Sequence, residues 1–199
     1  DETIDLYVIT RDNYGNYIGG IASDWSVTNF IGTVNPNSDS ESTVFDATTI
    51  GAGAIVAETP DFIDQTGVIT VTGGALSYLL IRDGANAGGD EVGDVGITTD
   101  ENLVLYAAGY DADDNYISDV DVSWSVTGNL DSVDPSGTFI EFTPSTAPTA
   151  GTITINSGGL TGDMTGTITV SVGALDYVVV EDASGGGGSP VGTVNMTTD

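Results

Sequence analysis

The sequence predicts an all-β chain built as antiparallel sandwiches in tandem. Three observations predict it. Apolar and polar residues alternate with the period of two that a half-buried strand requires, and Gly, Asn and Pro interrupt that alternation about every ten residues. The chain also repeats itself at an offset of 99 positions. No comparable stretch has a helical period, and Ala, Leu, Glu and Lys never gather as helix formers would. A chain of 199 residues buries a core without metal or disulfide staples, and two modest domains suit that length.

The strands follow in order. Near the start, Ile4, Leu6 and Val8 alternate with Asp5, Tyr7 and Ile9, which predicts a strand with one apolar face. "VITVTGG" at 68–74 reads as the closing strand of a sheet and a turn, and "ALSYLLIRD" at 75–83 as a strong strand after it. In "VDVSWSVT", Val120, Val122, Trp124 and Val126 face one side, while Asp121, Ser123, Ser125 and Thr127 face the other. In "TGTITVSV", Ile168, Val170 and Val172 alternate with Thr167, Thr169 and Ser171. "GALDYVVVED" at 173–182 predicts one more leading strand.

The offset superposes "DETIDLYVITRDNYGNYI" on "DENLVLYAAGYDADDNYI", Trp25 on Trp124, "GGALSY" on "VGALDY" and "VGDVGITTD" on "VGTVNMTTD". Repetition at this length means tandem whole domains rather than short solenoid units. The repeat units are 1–99 and 100–198, with Asp1, Asp100 and Asp199 at one equivalent position. Two seams stay open. A seam near Gly73 and Gly74 makes 74–172 a complete domain of about seven strands. Residues 1–73 then lack their leading strand, and 173–199 supply a leading strand to the next copy, tethered or separate. A seam at 99 and 100 instead makes each repeat self-contained. On the first reading the chain is a length of something longer, because an unpaired apolar strand is costly in water.

The stretches "RDNYGNYIGGIASDWSVT" and "YDADDNYISDVDVSWSVTG" resemble bacterial immunoglobulin-like repeats of the invasin and intimin type. Asp12, Gly15 and Asn16 match that family's turn, whereas Asp114 stands where its glycine is expected, so the second turn is expected to differ. The resemblance implies tandem immunoglobulin-like sandwiches acting as spacers or adhesive rods in secreted or surface-anchored proteins. Trp25 and Trp124 have no cysteine pair beside them, so their rings are expected to pack in disulfide-free cores.

Composition excludes much chemistry. With 2 basic and 30 acidic residues the formal charge is −28, which argues against nucleic acid and anionic membrane as partners. No apolar run reaches the roughly 18 residues of a membrane span. A surface so acidic suits a saline or calcium-rich medium. Without histidine, cysteine or lysine, the chain cannot assemble a Ser-His-Asp triad, a Cys-His pair, a Schiff base or a P-loop, so "SGGGGSP" at 184–190 and its equivalent "NAGGDEVG" read as loops. Paired carboxylates remain, but small sandwiches rarely provide the dry cleft that acid catalysis needs, and no catalytic residue or cofactor is expected.

Calcium is the one metal the residues suit, because it takes hard oxygen ligands. Asp111, Asp113, Asp114 and Asn115 crowd one turn, with Asp119 and Asp121 beyond, and the alternative is a plain Asx-rich hairpin turn. The equivalent turn keeps Asp12, Asn13 and Asn16 but adds Arg11, which weakens any cation site. Arg11 and Arg82, the only cations, are expected to form surface ion pairs. Tyr14, Tyr17 and Tyr116 at turn edges either cover the end of a core or stack on a sugar. Asn195 in "NMT" fits the N-glycosylation pattern. The function these features support is structural, a repeated module of an extracellular rod, filament or adhesin stalk whose partners are neighbouring copies. A module binding host or surface glycan, and a calcium-dependent surface-layer domain, are the alternatives.

Overall fold

The computed structural model describes residues 2–197. Asp1 and Asp199, two of the three equivalent aspartates, and Thr198, the last residue of the second repeat unit, lie outside the described residues. Among the described residues strands account for all the regular structure, and no helix is long and apolar enough to cross a membrane.

The ladders fall into two sets. The first holds β1 (Thr3–Tyr7), β2 (Ile9–Arg11), β3 (Tyr17–Gly20), β4 (Asp24–Val27), β5 (Gly32–Asn35), β6 (Ser42–Ala47), β7 (Gly51–Gly53), β8 (Ile55–Glu58), β9 (Ile63–Gln65) and β10 (Ile69–Val71). They pair as β1-β6-β5, β2-β3, β4-β8-β9 and β10-β7, all antiparallel. The second set holds β11 (Tyr78–Arg82), β12 (Val95–Thr98), β13 (Leu103–Tyr110), β14 (Tyr116–Asp119), β15 (Val122–Val126), β16 (Ser136–Gly137), β17 (Phe139–Phe142), β18 (Thr149–Gly151), β19 (Ile153–Asn156), β20 (Asp163–Met164) and β21 (Ile168–Ser171). Here β13 pairs with β11, β14 and β17, β15 joins β16 to β19 and β20, and β21 lies between β18 and the parallel strand β12. The result is an all-β fold of immunoglobulin-like antiparallel sandwiches in tandem.

Alternation places the cores. Val122 and Trp124 of β15 turn inward, Ser123 and Ser125 outward. Each indole keeps a partner for its N–H, Trp124 donating to the Gly137 carbonyl at 2.8 Å and Trp25 to the Ser40 carbonyl at 3.0 Å. A buried ring thus gains area without losing a hydrogen bond. Around Trp124 lie Leu79, Ile81, Leu105, Ile140, Phe142, Ile153, Ile155, Ile168 and Val170, all buried. Around Trp25 only Ile31, Phe45 and Ile55 are buried, with Leu6, Val8 and Val27 half covered.

Two expectations change. Ile4 is 45% exposed and Val172 is 70% exposed, so each apolar stripe runs one residue past the surface that covers it. Within this chain residues 173–182 form no ladder. Arg11 and Arg82 bond to carbonyls rather than to acids. Among the described residues Arg11 donates to the carbonyl of Gly15, four residues on, and Arg82 to those of Gly88 and Gly89, six and seven residues on, so each guanidinium is taken up by its own turn or loop.

Candidate functional site

At the end of β13 the ladder shifts register between Gly109 and Tyr110, and the chain turns at Asp111. The same shift falls between Thr10 and Arg11 ahead of Asp12. In both turns an aspartate ties the chain together. Asp12 accepts from the Tyr14 and Asn16 backbone N–H groups and from the Asn16 side chain. Asp111 accepts from Asp113 N–H at 3.1 Å, Asn115 N–H at 2.9 Å and the Asn115 side chain. Asp114 takes the left-handed conformation of Gly15, with φ of +64° against +84°, so the second turn keeps the geometry despite the missing glycine. Aspartate is among the side chains that tolerate this region.

The surroundings differ. Asp12 is exposed, whereas Asp111 is only 3% exposed. Its Oδ2 accepts from the Gly74 N–H at 3.0 Å, and Asn115 reaches back to the first set of strands, donating to the Thr48 carbonyl at 3.0 Å and accepting from the Ile50 N–H at 3.2 Å. Burial pushes the Asp111 carboxyl up, but the donors Gly74, Asn115 and Asp113 outweigh it and hold it below the ordinary aspartate value. At Asp12 the Asn16 side chain and backbone donors lower the carboxyl too. Asp114 accepts from the Tyr78 hydroxyl at 2.7 Å, and that bond, with burial, pushes the phenol up to about 12. Tyr78 also stacks on Tyr110, the centroids 5.4 Å apart.

The four residues of the expected calcium turn therefore share one turn but diverge in contact. Asp111 faces protein donors, Asp114 faces Tyr78, and Asn115 spans the two sets of strands. Asp113 lines a cavity of about 640 Å³ that Glu2, Thr70, Thr72 and Gly74 also line. Asp119 accepts from the Tyr116 hydroxyl and the Asn86 N–H. Among the described residues no three acidic side chains come together as a cation cluster. The tyrosines separate too, with Tyr116 set edge-on to Tyr110 while Tyr14 and Tyr17 lie exposed.

A second feature escaped the residue patterns. Between β2 and β9 runs an open groove of about 410 Å³, bordered by Tyr7, Val8, Ile9, Arg11, Phe62 and Asp64. The equivalent place in the second set is filled by β11. That strand pairs with β13 over Tyr78↔Tyr110 to Arg82↔Tyr106, and on its other side Leu79 N–H donates to the Thr161 carbonyl and Ile81 N–H to Asp163 Oδ2 at 2.7 Å. The 99-residue offset, which relates Tyr7–Arg11 to Tyr106–Tyr110 and Asp64 to Asp163, is the signal that finds the groove.

No protein-family model and no curated protein matches the chain. Solved structures similar to it include domains 4 and 5 of the S-layer protein SbsC, at 16% identity over 82% of this chain and 79% of that one, with a TM-score of 0.32. The C-terminal 282-residue fragment of intimin, solved with the intimin-binding domain of the translocated intimin receptor, is similar at 16% identity over 92% and 61%, TM-score 0.32. The N-terminal four Ig domains of Dscam1 isoform 1.9 are similar at 8% identity over 86% and 41%, TM-score 0.28.

Proposed function

We propose that the chain is a structural module of an extracellular filament, rod or adhesin stalk, without catalysis, in which copies of residues 74–172 succeed one another. The observation that carries this reading is the joint at Asp111 and Asn115. One buried carboxylate and one amide bind the turn, the seam at Gly74 and the loop at Thr48–Ile50 together, so that one copy is held against the next by directional hydrogen bonds. Bonds to a buried charge are the stronger kind and fix orientation as well as contact. Such a joint serves a spacer, which must transmit direction along its length. The acidic surface keeps long assemblies apart from one another and in solution. Electron microscopy of the native material tests the reading: beads at regular spacing along threads are expected, and isolated globules overturn it.

Calcium at the Asp111–Asn115 turn is a second reading, favoured by Asp113 and Glu2 lining one cavity. Calorimetry with calcium on wild type and Asp113→Ala tests it, and equal heats end it.

A further inference from the structure

We propose that the groove along Tyr7–Arg11 is an acceptor for the C-terminal hairpin of a second copy of this chain, which enters it as a strand in the register that β11 uses in the second sandwich. The inference deepens the structural reading above and rests on it.

The hairpin already has the shape of the docked strand. Around β11, Asp83 N–H donates to the Asp90 carbonyl, Asp90 N–H to Asp83 Oδ1, and Val92 N–H to the Ile81 carbonyl. Ninety-nine residues on, Asp182 N–H donates to the Ser189 carbonyl, Ser189 N–H to Asp182 Oδ1, and Val191 N–H to the Val180 carbonyl. The isolated bridge Arg82↔Glu91 recurs as Glu181↔Pro190. The loop that backs β11 is therefore formed on the tail, while the strand it should support stands unpaired. Val178 and Val180 are 86% and 77% exposed, although their equivalents Leu79 and Ile81 are buried completely or nearly so.

Groove and hairpin fit residue by residue. Carrying the β11–β13 register across the offset sets Tyr177 opposite Arg11, Val178 opposite Thr10, Val179 opposite Ile9, Val180 opposite Val8 and Glu181 opposite Tyr7. Val178 and Val180 then face the half-covered core beside Trp25. The Val180 N–H meets Asp64 as the Ile81 N–H meets Asp163. Where Tyr78 stacks on Tyr110, Tyr177 would lie against the Arg11 guanidinium, which favours an aromatic face. Backbone pairing with alternate side chains in pockets is the general mode of strand addition.

Because the chain has no cysteine, paired substitutions read the register without background. Directly opposed residues of an antiparallel pair bring their Cβ atoms close enough for a disulfide, and a shift by one residue does not. In the full chain under mild oxidation, Ile9→Cys with Val179→Cys is expected to give a ladder of linked chains, and Thr10→Cys with Val179→Cys at least tenfold less. Light scattering of the cysteine-free chain is expected to show mass rising with concentration, and Val180→Asp, on an exposed tail position, to hold it at the mass of one chain. Constant mass at every concentration, or equal ladders from both cysteine pairs, overturns the proposal. Beaded native threads alongside a chain that never associates would sink strand donation while leaving the stalk reading intact.

Discussion

The two sandwiches carry related sequences, but the second has two strands without a counterpart in the first, β11 and β12, and comparing them isolates what that leading segment contributes. In the second, β13 runs unbroken from Leu103 to Tyr110 with β11 along it, and Leu105, Ala107 and Ala108 are completely buried. In the first, the corresponding stretch is divided into β1 and β2 at Val8. Leu6 and Val8 are half covered and Ile9 is 48% exposed. The residues on the edge are no less apolar there, so the difference lies in what covers them. Burying Leu79 and Ile81 fully is worth about 1.5–3 kcal/mol each, a large part of the stability of a small domain. The segment that supplies β11 and β12 thus separates a closed sandwich from an open one.

The comparison breaks most visibly at β11. Leu79→Ala is expected to cost the second sandwich about 2–5 kcal/mol, whereas Val178→Ala in dilute, unassociated chain changes neither sandwich measurably. Urea unfolding followed through Trp124 in a Trp25→Phe background reads the first effect and Trp25 in a Trp124→Phe background checks the second. Equal losses would show that the tail is already docked.

The paired turns give the next largest effect. Asp111→Ala leaves the Gly74, Asp113 and Asn115 N–H groups without their acceptor and is expected to cost about 1–3 kcal/mol. Asp12→Ala, at an exposed turn, is expected to cost distinctly less. Asn115→Ala removes the bonds to Thr48 and Ile50 together with the side-chain bonds to Asp111, about 1 kcal/mol for each bond lost. It is expected to separate the unfolding of the two sandwiches, seen by calorimetry as two transitions in place of a coupled one.

The smallest effect is in pH. The Asp111 carboxyl is lowered by folding, so its contribution is complete above the unfolded value of about 3.9 and is lost as pH falls through the lower folded value. The Tyr78 phenol is raised to about 12, so its contribution is complete below the unfolded value of about 10 and is lost as pH rises toward 12. Arg11 stands where Tyr110 does and Gly15 where Asp114 does, so alkaline titration should loosen the second sandwich and leave the first unmoved. Stability against pH, read at each tryptophan, checks both limbs.

The fold class was legible because it is written in local alternation. Val122, Trp124, Ile168 and Val170 point inward as their spacing requires, and both tryptophans are buried without disulfides. Ile4 and Val172 show where alternation stops informing, since a stripe of side chains does not reveal how far its cover extends. The Asp111–Asn115 turn was visible as a cluster of oxygen-bearing residues, yet its partners Gly74, Thr48 and Ile50 lie 37, 67 and 65 residues away. Spacing within a turn carries no trace of donors so distant. The Gly-rich loops read as slack from composition, but Asp83 and Asp182 each pin theirs through the same pair of hydrogen bonds.

The groove and the hairpin are different surfaces, the one open on the first sandwich and the other projecting past the second. Any union between them is heterologous, one chain's hairpin in another's groove. Units joined that way either curl into a ring or extend without limit, and every open array they build has a head and a tail. Growth would then proceed unequally at its two ends, and a lone hairpin peptide would cap one of them.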